Sequence, residues 1–243
     1  MTRRRWIAEN WSETNATLTG AQAEHLARVL RARPGMQADV VAGGRVFHAE
    51  LSSIGDGKID FKLLDEIAAE PALPVTLVMA VYKFDRMEWA IEKAVELGVR
   101  TIAPVLTERT EKHLAQSAGK RAERWRRIAH QAAQQSRRSD VPLVSDPVLL
   151  AGHLAANSPG MRLVLAEQEC TTTLRFALDE WLSVPGEEIP PLEIAIGPEG
   201  GWTAAETELF IASGWHSVTL GPRILRAETA AIAALAIASS FLV

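Results

Sequence analysis

The chain reads as an α/β protein in two parts: a small β-barrel over residues 1–70, then a mostly parallel, helix-covered sheet over residues 75–243. Three observations predict this. The first 64 residues are short segments of alternating polarity. From Val75 onward, continuous apolar runs of strand length alternate with helical patterns, as in a sheet buried on both faces. Pro71 and Pro74 fall where the pattern changes. With 243 residues, 47% hydrophobic and 23% charged, the composition is that of a globular protein and excludes wholesale disorder.

In the first part, Gln37–Ala42 and Arg45–Leu51 alternate around Gly43-Gly44, a two-residue hairpin turn that needs positive φ. Lys58–Leu64 alternates again after Gly55-Asp56-Gly57. His25–Arg33 predicts one or two helical turns closed by Pro34-Gly35. Closing such strands into a barrel buries their apolar faces. Asp65–Pro74 is expected to be a linker.

In the second part, Val75–Val81 is a buried strand. Asp85 is expected to cap the next helix, with Glu88 as its capping-box partner. Met87, Ala90, Ile91, Ala94 and Val95 form that helix's apolar stripe, and Gly98 ends it. Thr101–Leu106 is the next strand, and an amphipathic helix covers about 120–135. Arg162–Ala166, Leu192–Ile196 and Ser217–Leu220 are further strands. Thr203 with Glu206 is a second capping box, and Gly214 closes its helix. The alanine-rich run Thr229–Val243 is shorter than the ~20 apolar residues of a membrane span. It predicts a buried helix of a soluble protein.

The formal charge is −4, which excludes a uniformly basic coat. Charge is uneven, however: residues 1–33 carry six Arg against three Glu, and 109–138 carry nine Lys/Arg against two Glu. Such segments suit a polyanion partner; 109–138 reads equally as a solvated helix face. The one cysteine, Cys170, allows no internal disulfide and no multi-cysteine zinc site, which fits a cytoplasmic protein. The N-terminus has no apolar stretch behind its arginines and is not read as a secretory signal.

Two loops could carry chemistry. Ile196-Gly197-Pro198-Glu199-Gly200-Gly201-Trp202-Thr203 follows one buried strand and opens a capped helix. Leu220-Gly221-Pro222-Arg223-Ile224-Leu225-Arg226-Ala227-Glu228-Thr229 follows another and opens the last helix. Ligands of α/β sheets bind at strand C-termini, and glycine lets backbone approach closely. Alone, either loop reads as a structural turn; two at one sheet edge would form a cleft lined by main chain. No G-x-x-x-x-G-K-[ST], no strand-following G-x-G-x-x-G, no H-E-x-x-H and no G-x-S-x-G is present. His25, His48, His113, His130, His153 and His216 are scattered, so no metal is expected.

Several segments, in order, resemble the RsmE family of ribosomal small-subunit methyltransferases, of the SPOUT class. They are His25-Leu-Ala-Arg28-Val-Leu-Arg31, Glu92-Lys-Ala-Val-Glu-Leu-Gly98, Arg124-Trp-Arg-Arg-Ile-Ala129, Gln131 through Pro142, and the two glycine loops. The resemblance covers nearly the whole chain. It implies a PUA-like barrel followed by a SPOUT domain with a trefoil knot. It further implies S-adenosylmethionine as cofactor, N3 of one uridine in 16S rRNA as target, and a homodimer. Phe84 and Ala227 depart from the family, which commonly has glycine and threonine there.

The cofactor contacts so implied are Leu165, Ile196, Gly197, Pro198, Gly200, Gly201, Leu220, Gly221, Ile224, Leu225 and Ala230. The RNA contacts are Arg4, Arg28, Arg31, Lys83, Arg86, Arg124, Arg127, Arg137 and Arg138. Arg28 and Arg31 are expected to share a helix face, and the two basic segments to form one surface. Methylation of N3 requires removal of a weakly acidic proton, helped by a cation that stabilises the anion. Arg223 and Arg226 are the candidate cations, and Glu199 and Glu228 the candidate bases. Glu228 reads equally as a helix-start carboxylate favoured by the dipole. Two other functions compete: a SPOUT methyltransferase of another RNA nucleotide, such as a ribose hydroxyl, and a non-enzymatic RNA-binding protein. The last helix, apolar nearly all round, is expected to be buried on every side, with the dimer interface on it.

Overall fold

The computed structural model describes residues 5–156, 159–168, 171–183 and 190–242. Arg4 and Cys170 lie outside the described residues. The chain forms two compact units.

The first unit comprises the described part of Met1–Pro71 together with Gln131–Val141. Its strands are β1 (Arg5–Ile7), β2 (Asn10–Trp11), β3 (Asn15–Thr19), β4 (Gln37–Ala42), β5 (Arg45–Gly55) and β6 (Lys58–Ile67). They pair in the order β1-β4-β5-β6-β3-β2. Helix α1 (Gly20–Glu24) runs into a π-helical turn, His25–Val29. The β4–β5 hairpin turns at Gly43 and Gly44 with φ of 60° and 80°, as the two-residue turn demands. Alternate residues of the curled sheet, among them the fully buried Trp6, Phe61, Leu18 and Leu51, form one core.

Two expectations change here. β6 runs on through Ile67, so the linker is short. Arg31 lies beyond the helical turn, in the left-handed region at φ 49°, so helical spacing does not relate it to Arg28. The segment after His130 joins this unit through side chains: Gln134 donates to Gln22, and Arg137 meets Asp39 at 3.2 Å.

The second unit comprises Ala72–His130 and the described part of Pro142–Val243. Its strands are β7 (Leu73–Ala80), β8 (Val99–Leu106), β9 (Leu143–Val144), β10 (Val148–Leu149), β11 (Met161–Leu165), β12 (Leu192–Ile196) and β13 (His216–Val218). Every pairing among them is parallel, in the order β10-β8-β7-β12-β11-β13, with β9 also on β8. The helices are α2 (Phe84–Glu96), α3 (Lys112–Gln135, whose residues from Gln131 on belong to the first unit), α4 (Leu150–Leu154), α5 (Leu174–Leu182), α6 (Ala204–Ala212) and α7 (Ala227–Leu242). This is the helix-covered parallel sheet that the alternating pattern predicts.

The predicted stripe Met87, Ala90, Ile91, Ala94 and Val95 is the buried face of α2, and Gly98 ends the helix at φ 89°. The Asp85 cap is not formed. α2 starts two residues earlier, Lys83 occupies the cap position without a side-chain bond, and Asp85 sits inside the first turn. Glu88 is drawn instead to the guanidinium groups of Arg124 (2.7 Å) and Arg121 (3.4 Å) on α3. Phe84, the departure from glycine, packs edge-on against Trp125 and lies under the Arg121 guanidinium at 4.8 Å. α3 begins at Lys112, because Leu114 and Ala118 continue the buried period of Ala122, Trp125 and Ala129.

The Thr203–Glu206 capping box is formed in full. Within one chain the last helix buries Ala231, Ala234, Leu235 and Ala238, and leaves Ala236 exposed and Ala233 and Ile237 half-buried. Among the described residues, no helix is long and apolar enough to cross a membrane.

Candidate functional site

Because the sheet of the second unit is parallel, the loops after β7, β8, β11, β12 and β13 leave the same edge. The two glycine loops follow β12 and β13. These strands are not neighbours: β11 lies between them and brings Leu165 to the same edge.

The first loop is held tightly. Trp202 Nε1 donates to the Leu165 carbonyl at 2.9 Å, and Gly201 N donates to Pro198 O at 2.8 Å. A Cβ on Gly197 would come within 3.3 Å of the Trp202 ring. Trp202, Phe210 and Trp215 form an edge-to-face row behind the loop, with centroids 4.7 and 5.2 Å apart. The loop after β8 clamps the other side. Arg109 donates to Gly200 O, Glu108 N donates to the buried Glu206 at 2.9 Å, and Thr110 Oγ1 donates to Val81 O at 3.2 Å.

The second loop is more open. Gly221 adopts φ 120°, its N–H donates to Thr219 Oγ1 at 3.2 Å, and a Cβ there would meet nothing within 4 Å. Ile224 is 81% exposed and Leu225 is exposed beside it. Leu165, Leu220 and Ala230 are half-buried, while Ile196 and Pro198 are buried.

Charged groups gather where α2 and α7 begin. Arg86 lies 3.9 Å from Glu199 (Nη1–Oε1) and 3.8 Å from Glu228 (Nε–Oε1). These are ion-pair distances, too long for hydrogen bonds. The Arg86 donors are therefore uncommitted among the described residues. Glu228 has a side chain only 9% exposed, and its Oε2 is buried without a hydrogen-bond partner. The Tyr82 hydroxyl, at the end of β7, is likewise buried and unpartnered. Burial, then the Glu228 and Glu199 carboxylates, push the phenol far above its ordinary range. A cleft of about 360 Å³ opens onto this cluster, lined by Asp85, Arg86, Trp89, Arg226, Glu228 and Thr229.

The structure thus brings Glu199 and Glu228 together, as candidates from separate loops, with Arg226 on the same cleft. Their cation is Arg86, which the sequence places among the RNA contacts. Arg223 is exposed on the second loop, makes no hydrogen bond or ion pair among the described residues and does not line the cleft. Sequence reasoning misses Tyr82, Trp89 and Arg109. Tyr82 and Arg109 both follow the C-terminal ends of predicted strands, where the edge rule would have found them; Trp89 carries no sequence signal beyond lying off the α2 stripe. Glu228 also sits in the first turn of α7, so the helix-start reading and the cleft reading describe one position.

The basic residues differ in how available they are. Lys83 and Arg127 are exposed. Arg124 is paired with Glu88, and Arg137 with Asp39. Arg138 bonds Asp140 at 2.7 Å and its side chain is 8% exposed, so it is no open phosphate contact. In the first unit, Arg28 and Lys58 line a cleft of about 200 Å³ with Glu24 and Asp56. Among the described residues no group of three or more His, Cys, Asp or Glu is placed to hold a metal ion.

Comparison with known proteins supplies the family. An RNA methyltransferase domain model matches residues 69–239, and an RNA methyltransferase PUA domain model matches 18–64. Ribosomal RNA small subunit methyltransferase E of Synechocystis is 37% identical over 92% of this chain and 72% of its own. The protein of that name from Bacillus subtilis is 31% identical over 90% and 87%. The crystal structure of the Neisseria gonorrhoeae enzyme of that name, bound to S-adenosylmethionine, superposes with a TM-score of 0.81 at 31% identity. It covers 96% of this chain and 95% of the other. With both domain models in order and relatives of this likeness along most of its length, the chain belongs to the RsmE family of ribosomal RNA small subunit methyltransferases.

Proposed function

We propose that the protein transfers the methyl group of S-adenosylmethionine to N3 of one uridine in 16S rRNA of the small ribosomal subunit, in the cytoplasm. The observation that carries this is the Arg86–Glu199–Glu228 cluster, set at the sheet edge that bears both glycine loops. The residues present fit the cofactor. Gly221 leaves open space where a side chain would stand, and the exposed Ile224 and Leu225 offer apolar cover for an adenosyl group. Leu165 and the main chain of 196–201 and 220–226 complete the proposed cradle, with Ala230 beside it.

Bound S-adenosylmethionine supplies a methyl group on positively charged sulfur, with neutral sulfur as the leaving atom. The chain's residues do the rest. The Glu228 carboxylate accepts the N3 proton. The donors of Arg86, with Arg226, hold the charge that develops on the adjacent carbonyl oxygens, and Glu199 keeps Arg86 in place. Removal of one well-placed general base typically costs a factor of about 10² to 10⁴. A trefoil knot belongs to the same proposal; the order β12-β11-β13, with the earliest strand between the two later ones, supports it. So does a homodimer, supported by the half-open apolar face of α7.

Nucleoside mass spectrometry of 16S rRNA from a deletion strain tests the reading. N3-methyluridine should be absent, restored by the wild-type protein, and not restored by Glu228→Gln. An unchanged N3-methyluridine content in the deletion strain would overturn it.

A further inference from the structure

Trp89 is 47% exposed and lies off the buried apolar stripe of its helix. It stands on the face of α2 that also carries Asp85 and Arg86, and it lines the same cleft as Arg226, Glu228 and Thr229. Among the described residues its ring meets no other aromatic ring and no cation. An indole face left open beside two guanidinium groups and a carboxylate with a free oxygen is an unusual use of the largest apolar side chain.

We propose that Trp89 is the stacking surface for the target pyrimidine. The proposal rests on the reading of this cleft as the site of uridine methylation. A base taken out of its stack loses two neighbours, and an aromatic side chain restores one of them. Stacking on Trp89 leaves the edge of the ring turned toward the groups that act on N3, namely Arg86 and Glu228. The cleft, about 360 Å³, is in the size range of sites for small ligands, roughly 300–1,000 Å³. The competing occupant is a second copy of this chain. Four charged residues, Asp85, Arg86, Arg226 and Glu228, border the indole, whereas the cores of subunit interfaces are depleted of charge. The lining therefore favours a nucleobase.

The test uses the full-length protein and 30S particles that lack the modification. Trp89→Ala should lower kcat/KM for the particles by about 5- to 100-fold, the usual loss for one stacking side chain. Trp89→Phe should recover most of it. S-adenosylmethionine affinity by calorimetry and molar mass by light scattering should be those of the wild type in both variants, which also reports that they fold. Wild-type kcat/KM in Trp89→Ala would overturn the proposal while leaving the methylation reading intact. A fall in molar mass that accompanies the loss of activity would overturn it in favour of a subunit contact. If the wild-type protein puts no N3-methyluridine into the particles, the reading beneath the proposal fails first.

Discussion

Tyr82 is the only tyrosine of the chain, and its environment is hostile to a phenolate. Burial and two nearby carboxylates raise its ionisation well above the ordinary value of 10.0. Below that value the phenol is neutral both folded and unfolded, so it adds no pH dependence. Above it, the unfolded chain releases the proton and the folded chain keeps it. The unfolded state then binds fewer protons, and stability falls as pH rises. An alkaline titration followed by phenolate absorbance should therefore show no ionisation of the folded protein near its ordinary value. The signal should appear together with the unfolding seen by circular dichroism. Ionisation of the folded protein near the ordinary value would mean that Tyr82 is solvated. The same hydroxyl and Glu228 Oε2 are two unpartnered polar atoms at one site, an arrangement that costs stability unless a ligand completes it.

The glycine loop after β12 depends on its neighbours for its shape. Trp202 ties it to β11, and the 107–110 segment ties it to the end of β7 and to α6. Arg109 is exposed, and a surface contact is worth little for stability, so its effect should show in binding. Arg109→Ala should weaken S-adenosylmethionine binding by up to about tenfold, the equivalent of roughly one charge-assisted hydrogen bond, with little change in melting temperature. Arg109→Lys should recover part of it. Calorimetry with unchanged affinity in Arg109→Ala would show that the loop holds its shape without the clamp.

At the scale of the whole molecule, two surfaces invite partners: the half-open face of α7 and the clefted side of the first unit. Helix α7 buries Ala231, Ala234, Leu235 and Ala238 within the chain and leaves Ala236 exposed. If that open face is the proposed dimer interface, Ala236→Glu should shift the protein toward monomer in light scattering at micromolar concentration. A wild-type monomer under those conditions would remove the dimer. In the first unit, Arg28 and Lys58 line one cleft and are the candidate phosphate contacts there. Arg28→Ala with Lys58→Ala should leave cofactor affinity unchanged and weaken binding to 30S particles. It should also flatten the salt dependence, by a slope of about one for each phosphate no longer neutralised. Unchanged affinity and slope would exclude this cleft as a clamp.

Local patterns were enough for the elements of this fold. The α2 stripe, the Gly43-Gly44 hairpin, the Thr203–Glu206 box and the positions of both glycine loops all follow from spacings within a few residues. A helix period or a turn requirement is local physics, and it survives any tertiary arrangement. Where a local pattern failed, a distant partner had intervened. Glu88 left its capping role for Arg121 and Arg124 on α3. The alanine-rich α7 could not reveal which side stays open within the chain, because a helix that is apolar nearly all round has no polar face to mark it. The candidate site was half legible: Glu199, Glu228 and Arg226 could be named from their loops. Their meeting with Arg86 could not, since Arg86 lies far from both loops in sequence. Glu199 reaches Arg86 because β12 pairs with β7 in parallel, and Glu228 reaches it because α7 packs against α2. Strand order and register are decided by the packing of the whole sheet, and no segment of the chain carries that information alone.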